Sequence, residues 1–412
     1  MKEKEFYNMK KITNPTITTP KGFSAGAVYA GIKSKKKNDL MILTSGGNCV
    51  CSAAFTKNTV KAAPVLISKK NLDKTKGAVR ALMVNSGNAN AVTGPQGMKD
   101  TEDILKYIAS KLGIKKDEVL MCSTGIIGRR LDVDVVKKGI DEIFKQGLYA
   151  VNGASCTEAI MTTDTFEKTA GVVLDISGKK VSICGISKGA GMIAPNMATL
   201  LAFITTDANI EKKLLDEITK YCVEKTFNLI TVDGDMSTND TLMVFANGMA
   251  ENDIIKKGSK DAEVFRDALC EVMLKLAKDI VKDGEGATKF IEISVSGAKT
   301  ESDAKEIALA IANSNLVKTA IFGQDPNWGR ILSAAGSTKI KFNFEKVDLK
   351  INNYDIIKNG LPLLDKKSSW DNLMKKDEIK IMFDVKMGKK SATVYTSDLS
   401  YEYVKINAEY ST

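Results

Sequence analysis

Histidine is absent from all 412 residues, so no Ser–His–Asp or Cys–His nucleophile, HExxH metal site, Cys2His2 finger or histidine-ligated haem can be built here. Acid–base chemistry must use carboxylates, amines, Cys or Tyr. Arginine is nearly as scarce: Arg80, Arg129, Arg130, Arg266 and Arg330 are the whole set. The +10 balance of 60 basic over 50 acidic residues therefore rests on scattered lysines. Such a surface admits anionic small molecules but lacks the clustered, fork-shaped arginines of nucleic-acid recognition, so no nucleic-acid partner is expected. The run Lys33–Lys37 reads as a solvated loop. No stretch of eighteen apolar residues exists, and Met1-Lys2-Glu3-Lys4-Glu5 lacks the apolar core of a signal peptide, which sets the expectation of an unexported, cytoplasmic protein without a membrane partner. Seven cysteines at irregular positions make no disulfide framework, so buried thiols are expected. Cys49-x-Cys51 finds no second pair for a metal site.

What is present is globular in kind. Only 7 prolines interrupt a chain that is 43% hydrophobic and 27% charged, and the length fits two to three domains. The first twenty-one residues, Lys/Thr/Pro-rich and without periodicity, read as a mobile lead-in. Ala81–Asn85 reads as a buried strand entering the turn-rich Ser86-Gly87-Asn88-Ala89-Asn90. Amphipathic spacing predicts helices over 101–112, 133–144 (stopped by Gly147), 210–225, 262–281 and 303–312. Strands are expected at 172–174 and 181–185, joined by a Ser-Gly turn, and at 290–295, 339–344, 347–351, 379–385 and 392–395. Strands and helices are interspersed with hairpins and lack steady βαβ alternation, which favours an α+β layered fold over a doubly wound one.

One stretch stands apart, Ser187-Lys188-Gly189-Ala190-Gly191-Met192-Ile193-Ala194-Pro195-Asn196-Met197-Ala198-Thr199-Leu200. Its glycines, proline and asparagine demand a specially turned backbone, after which Ala198-Thr199 opens into the apolar run Leu200–Ile204. Composition alone reads this as a Gly-rich turn with Thr as a β-former. The lysine precedes the glycines, so no GxxxxGK[ST] phosphate loop is formed. Cleavage before Thr199 would change its chemistry, because an N-terminal Thr carries its own base in the α-amine, with a reference pKa of about 7.7–8.0. Asp233, Asp235 and Asp240, in Val232-Asp233-Gly234-Asp235-Met236-Ser237-Thr238-Asn239-Asp240, are explained by turn capping, and no metal is expected.

The block KGAGMIAPNMATLLAFITTDA closely resembles the cleavage-site segment of the glutamate N-acetyltransferase (ornithine acetyltransferase, ArgJ) family. Co-linear blocks extend the resemblance over nearly the whole chain: Pro20–Phe23, Val60–Val65, Asn85–Asn90, Cys122–Gly128, Met161–Thr165, Val232–Asp240, Gly284–Lys289, Asp325–Arg330 and Ile406–Tyr410. Departures are mild: Gln324 stands where Arg is more usual, and Glu409 and Ser411 where the tail more often has Asp and Arg.

The resemblance implies a layered αββα sandwich of the ArgJ/DmpA-like kind with a smaller additional α/β domain. It implies a precursor cut between Ala198 and Thr199 into an α chain (1–198) and a β chain (199–412), assembled as an α2β2 heterotetramer. Thr199 would be the nucleophile, and Thr124 and Gly125 the oxyanion hole. Thr162, Lys188, Thr199, Glu285, Asn407 and Thr412 would contact substrate. The implied reaction carries acetyl from N2-acetyl-L-ornithine to L-glutamate, in arginine biosynthesis. No cofactor is implied, although acetyl-CoA is a possible second donor. Taken singly, Lys188 and Glu285 would be surface charges, and Ser123-Thr124-Gly125 a strand-ending turn. Two other readings compete: an N-terminal-nucleophile aminopeptidase or amidase of similar fold, and a non-catalytic Gly-rich metabolite-binding protein.

Overall fold

A computed structural model describes residues 9–194, 200–365, 370 and 372–409. Among these residues a nine-stranded sheet comprises β1 (Lys10–Lys11), β2 (Phe23–Val28), β3 (Leu40–Phe55), β4 (Ala78–Asn88), β5 (Val119–Ile126), β6 (Lys168–Ile176), β7 (Lys179–Lys188), β8 (Leu201–Thr206) and β9 (Thr241–Ala246). Its order is β1-β6-β7-β8-β9-β3-β4-β5, with β2 paired to β3. The helices α1 (Ala63–Thr75), α2 (Gly94–Leu112), α3 (Val133–Gln146), α4 (Ser155–Ile160), α5 (Lys212–Lys225) and α6 (Lys260–Lys282) belong to the same lobe.

Side-chain alternation shows how this sheet folds on itself. In β8, Ala202 and Ile204 pack with Leu215, Phe265 and Leu276 of α5 and α6, while Leu201 and Phe203 join Phe23, Met41, Leu82 and Leu120 from β2–β5. A period of two puts these sets on opposite faces. The outer faces of β4 and β5 (Ala81, Met83, Val119, Met121) rest on Ile104 and Ile108 of α2 and Ile140 of α3. The layers run helix, sheet, sheet, helix. Burial on both faces explains why β8 reads as an unbroken apolar run from Leu201 to Ile204. The long strand β3 serves both layers: Leu40–Thr44 pair with β4 and Val50–Phe55 with β9, across a register shift between Thr44 and Cys49. Gly46 and Gly47 lie at that bulge, where extra twist carries the strand between layers.

The second lobe is a six-stranded sheet of β10 (Phe290–Ala298), β11 (Asp348–Ile351), β12 (Tyr354–Lys358), β13 (Leu361–Pro362), β14 (Glu378–Asp384) and β15 (Lys390–Ser397), ordered β13-β12-β11-β14-β10-β15. It packs on α7 (Glu301–Ala312), α8 (Asn315–Phe322) and α9 (Trp328–Gly336) around Ile291, Ile307, Leu349, Ile381 and Phe383. A last helix, α10 (Tyr401–Glu409), returns to the first lobe. Helix starts follow the sequence: Asp132, Ser259, Thr300, Ser314 and Asn327 accept backbone N–H groups as N-caps. The α+β layered architecture expected from the element pattern is the one observed.

Three expectations are corrected. From Met9 onward the lead-in is packed: Lys10 and Lys11 pair with β6, Ile17 is fully buried, and its carbonyl accepts the Thr205 hydroxyl. One buried isoleucine anchors a segment whose composition carries no period. Lys339–Phe344 forms no strand, because Ile340 and Phe342 pack on the second core from an irregular segment that ends in a 3-10 turn at Phe344–Lys346. Cys222 of α5 and Cys270 of α6 form a disulfide, brought together by the packing of those helices. The other five cysteines are buried free thiols, and burial pushes Cys49, Cys122, Cys156 and Cys184 up to about 12.

Candidate active site

A cavity of about 120 Å³ lies where the ends of β5 and β7, the 189–194 loop, the 233–239 turn, the turn after α6 and helix α10 meet. Thr124, Gly125, Thr162, Lys188, Glu285 and Asn407 all line it, although they span most of the chain. Ala198, Thr199 and Thr412 lie outside the described residues. Leu200, which follows Thr199, is buried, and its N–H donates to Asp240 Oδ1 at 2.8 Å. Leu201 pairs with Lys188 across β7 and β8.

Thr124 and Gly125 end β5 beside β4, where the register shifts at Gly87 and Asn88. Gly125 has φ +129°, and a Cβ there would lie 2.3 Å from the Gly87 carbonyl carbon and 2.5 Å from Asn88 N. Glycine alone permits that approach. Asn239 fixes the same corner by donating to the carbonyls of Ala89 (2.6 Å) and Ser123 (2.8 Å). Lys188 Nζ donates to Thr124 Oγ1 at 3.3 Å. With that oxygen accepting, the Thr124 hydroxyl hydrogen is free to point elsewhere.

Lys188 is only 6% exposed. Burial lowers its pKa, opposed chiefly by the charge of Asp164. Asp164 is fully enclosed and accepts Lys168 Nζ (2.7 Å), Gly189 N (2.7 Å) and Thr162 N (2.9 Å). Burial alone would raise its carboxyl, but Lys188, Lys168 and these hydrogen bonds bring it down to about 2. Lys168 also pairs with Asp283, which accepts Thr165 N at 3.0 Å.

The Gly-rich loop is held from the far side. Asp233 accepts Met192 N (2.6 Å), Ile193 N (2.8 Å) and the Tyr403 hydroxyl (3.2 Å). Burial raises the pKa of both Asp233 and Tyr403. Asp233 thus acts as the turn cap its sequence suggests; Asp235 lines the cavity and is exposed. Asn407 Nδ2 donates to Glu285 Oε2 at 2.9 Å, and Glu285 N donates to Ala190 O. A Cβ on Gly191 would meet the Glu285 carboxylate at 2.3 Å. Sequence reading missed Tyr403, Asn239, Ser237, Met192 and Thr163 as lining residues; the quoted Val232–Asp240 and Met161–Thr165 blocks hold three of them.

One ammonium, carboxylates, amides and hydroxyls around a small cavity suit a substrate carrying both signs of charge. Paired donors at a glycine-bearing strand end suit a developing oxyanion. The class of protein, an acyltransferase, follows from the family and relatives that the chain matches. The comparison with known families is specific: the ArgJ family matches residues 24–412, and the chain belongs to it. It is 48% identical over 406 residues to the arginine biosynthesis bifunctional protein ArgJ of Caldanaerobacter subterraneus subsp. tengcongensis, covering 98% of this chain and all of that one. It is 46% identical over 415 residues to the glutamate N-acetyltransferase of Methanocaldococcus jannaschii, with 98% and 100% coverage. Among solved structures, that of the ArgJ protein of Bacillus halodurans is 41% identical, with TM-score 0.49, over 50% of this chain and 98% of that one.

Proposed function

We propose that the chain is a self-processing acetyltransferase that carries acetyl from N2-acetyl-L-ornithine to L-glutamate, releasing L-ornithine and N-acetyl-L-glutamate in arginine biosynthesis. The observation that carries this reading is the convergence of Thr124, Gly125, Thr162, Lys188, Glu285 and Asn407 on one cavity. The name of the Methanocaldococcus jannaschii relative supplies glutamate and the acetyl group, and the donor N2-acetyl-L-ornithine comes from the family resemblance. In maturation, the Thr199 hydroxyl attacks the Ala198 carbonyl, the acyl group moves from N to O, and water hydrolyses the ester. This gives an α chain (1–198) and a β chain (199–412) and frees the Thr199 amine.

That amine then acts as base. It takes the hydroxyl proton as Thr199 Oγ attacks the acetyl carbonyl, and the oxyanion receives the Thr124 hydroxyl and the Gly125 N–H. The C–N bond breaks, the proton passes to the leaving amine, and ornithine departs from an acetyl ester. Glutamate's amine attacks that ester and the steps reverse, regenerating Thr199. Splitting the transfer into two halves makes it ping-pong. Lys188 offers a cation for a substrate carboxylate, while Glu285 with Asn407 suits an ammonium.

Incubation with N2-acetylornithine, with and without glutamate, tests the reading. Ornithine release that depends on glutamate supports transfer. Equal release without it indicates the hydrolase alternative. Replacing the donor by acetyl-CoA tests whether the same site also makes N-acetylglutamate directly, and native mass spectrometry tests an α2β2 assembly.

A further inference from the structure

Three charged groups lie out of water behind the cavity wall, and a fourth, Lys188, lines it. Lys168 is 0% exposed and bridges Asp164 and Asp283. These three carry one positive and two negative charges, and Lys188 makes the group neutral. Removing any member leaves a buried charge without compensation, a costly arrangement. The members differ in what else they touch. Asp283 binds Thr165 and Lys168, away from the reacting groups. Asp164 binds the N–H groups of Thr162 and Gly189, one a cavity residue and the other the neighbour of Lys188. The charged groups acting on Lys188 are Asp164, Lys168, Glu285 and Asp240, with Lys33 reaching it from the 31–39 loop. Asp164 is the strongest attractive one.

We propose that Asp164 is a positioning residue for the acyl-transfer site: by accepting the N–H groups of Thr162 and Gly189 its carboxylate fixes the Thr162 turn and the backbone next to Lys188, and its charge compensates the ammonium that donates to Thr124. The inference rests on the acetyl transfer proposed above. Asp164 touches no reacting atom. It acts through Lys188, whose ammonium, donating to Thr124 Oγ1, polarises the hydroxyl assigned to the oxyanion.

The test is the pH profile of kcat/KM for glutamate-dependent ornithine release. An opposite charge close by shifts a titrating group by about 1–3 pH units. Loss of the Asp164 charge therefore lets Lys188 deprotonate sooner. Asp164→Asn should move the alkaline limb down by about one pH unit or more, and Asp164→Glu should restore most of it. Asp164→Ser is a second neutral replacement should the amide fold poorly. Asp283→Asn, which also disturbs Lys168, should lower thermal stability and leave the limb where it was. A limb unmoved in both neutral Asp164 variants, whether activity falls uniformly or not at all, overturns the proposal. Wild-type protein without acetyl transfer at any pH would instead overturn the function from which the inference starts.

Discussion

Thr124 and Gly191 separate two jobs that neighbouring cavity residues perform. The Thr124 hydroxyl oxygen accepts Lys188 Nζ, which leaves its hydrogen for a developing oxyanion. Removing one such donor costs a factor of about 10²–10³ in kcat elsewhere. Thr124→Val, which keeps the β-branched shape, should lower kcat by that order with KM and thermal stability little changed. Gly191→Ala should do the opposite. Its methyl would strike the Glu285 carboxylate at 2.3 Å, the free end of a side chain that can swing aside. The protein should fold normally and show a raised KM with kcat largely kept, read from steady-state kinetics beside a melting curve. Equal losses of kcat in both variants would mean that the two residues do not divide the work.

At the scale of elements, α10 is the piece that completes the cavity, bringing Tyr403 and Asn407 over it. Tyr401 meets Phe322 of α8 edge to face, with ring centroids 5.4 Å apart, and so ties the helix to the second lobe. Such pairs contribute about 0.5–1.5 kcal/mol. Tyr401→Ala should therefore raise KM by up to roughly tenfold while the unfolding midpoint stays close to that of the parent. This helix was not legible in the sequence. None of its residues is buried, so it has no apolar stripe from which a period could be read. The opposite holds for α3, α5 and α6, whose buried faces repeat at helical spacing and whose observed bounds lie within a few residues of those expected. Lys339–Phe344 failed differently. Its alternation is real, and Ile340 and Phe342 do pack inward, but alternation cannot supply a strand partner.

Across the whole molecule, the two proposed chains are interleaved: β7 pairs with β8 over Ile183–Lys188, and β3 with β9 over Val50–Phe55. They should co-migrate under native conditions and part only in denaturant. Asp164 links the site to global stability. Its carboxyl falls from 3.8 to about 2 on folding, so the unfolded chain binds protons first as the solution is acidified. The stabilisation is present above the unfolded value and lost as pH falls through the folded one, about 2 kcal/mol in all. Urea unfolding at pH 5 and pH 3 should show a steeper loss for the parent than for Asp164→Asn. Much of the cavity was reached through the family resemblance, because on local sequence Ser123-Thr124-Gly125 reads as a strand-ending turn and Lys188 as a surface charge. Asp164 lies in the Met161–Thr165 block without a role of its own, and Lys168 and Asp283 lie in no block. Their i,i+4 and long-range pairing is a property of the folded interior, and buried charge is invisible in composition.

The central claim is that an inert hydroxyl becomes a nucleophile only when the main chain opens beside it, and mass spectrometry under denaturing conditions tests it most directly. Active protein incubated with N2-acetylornithine alone should give two fragments, the second beginning at Thr199 and carrying one acetyl group on that residue. A fully active preparation that remains one unbroken 44.6 kDa chain would contradict the account.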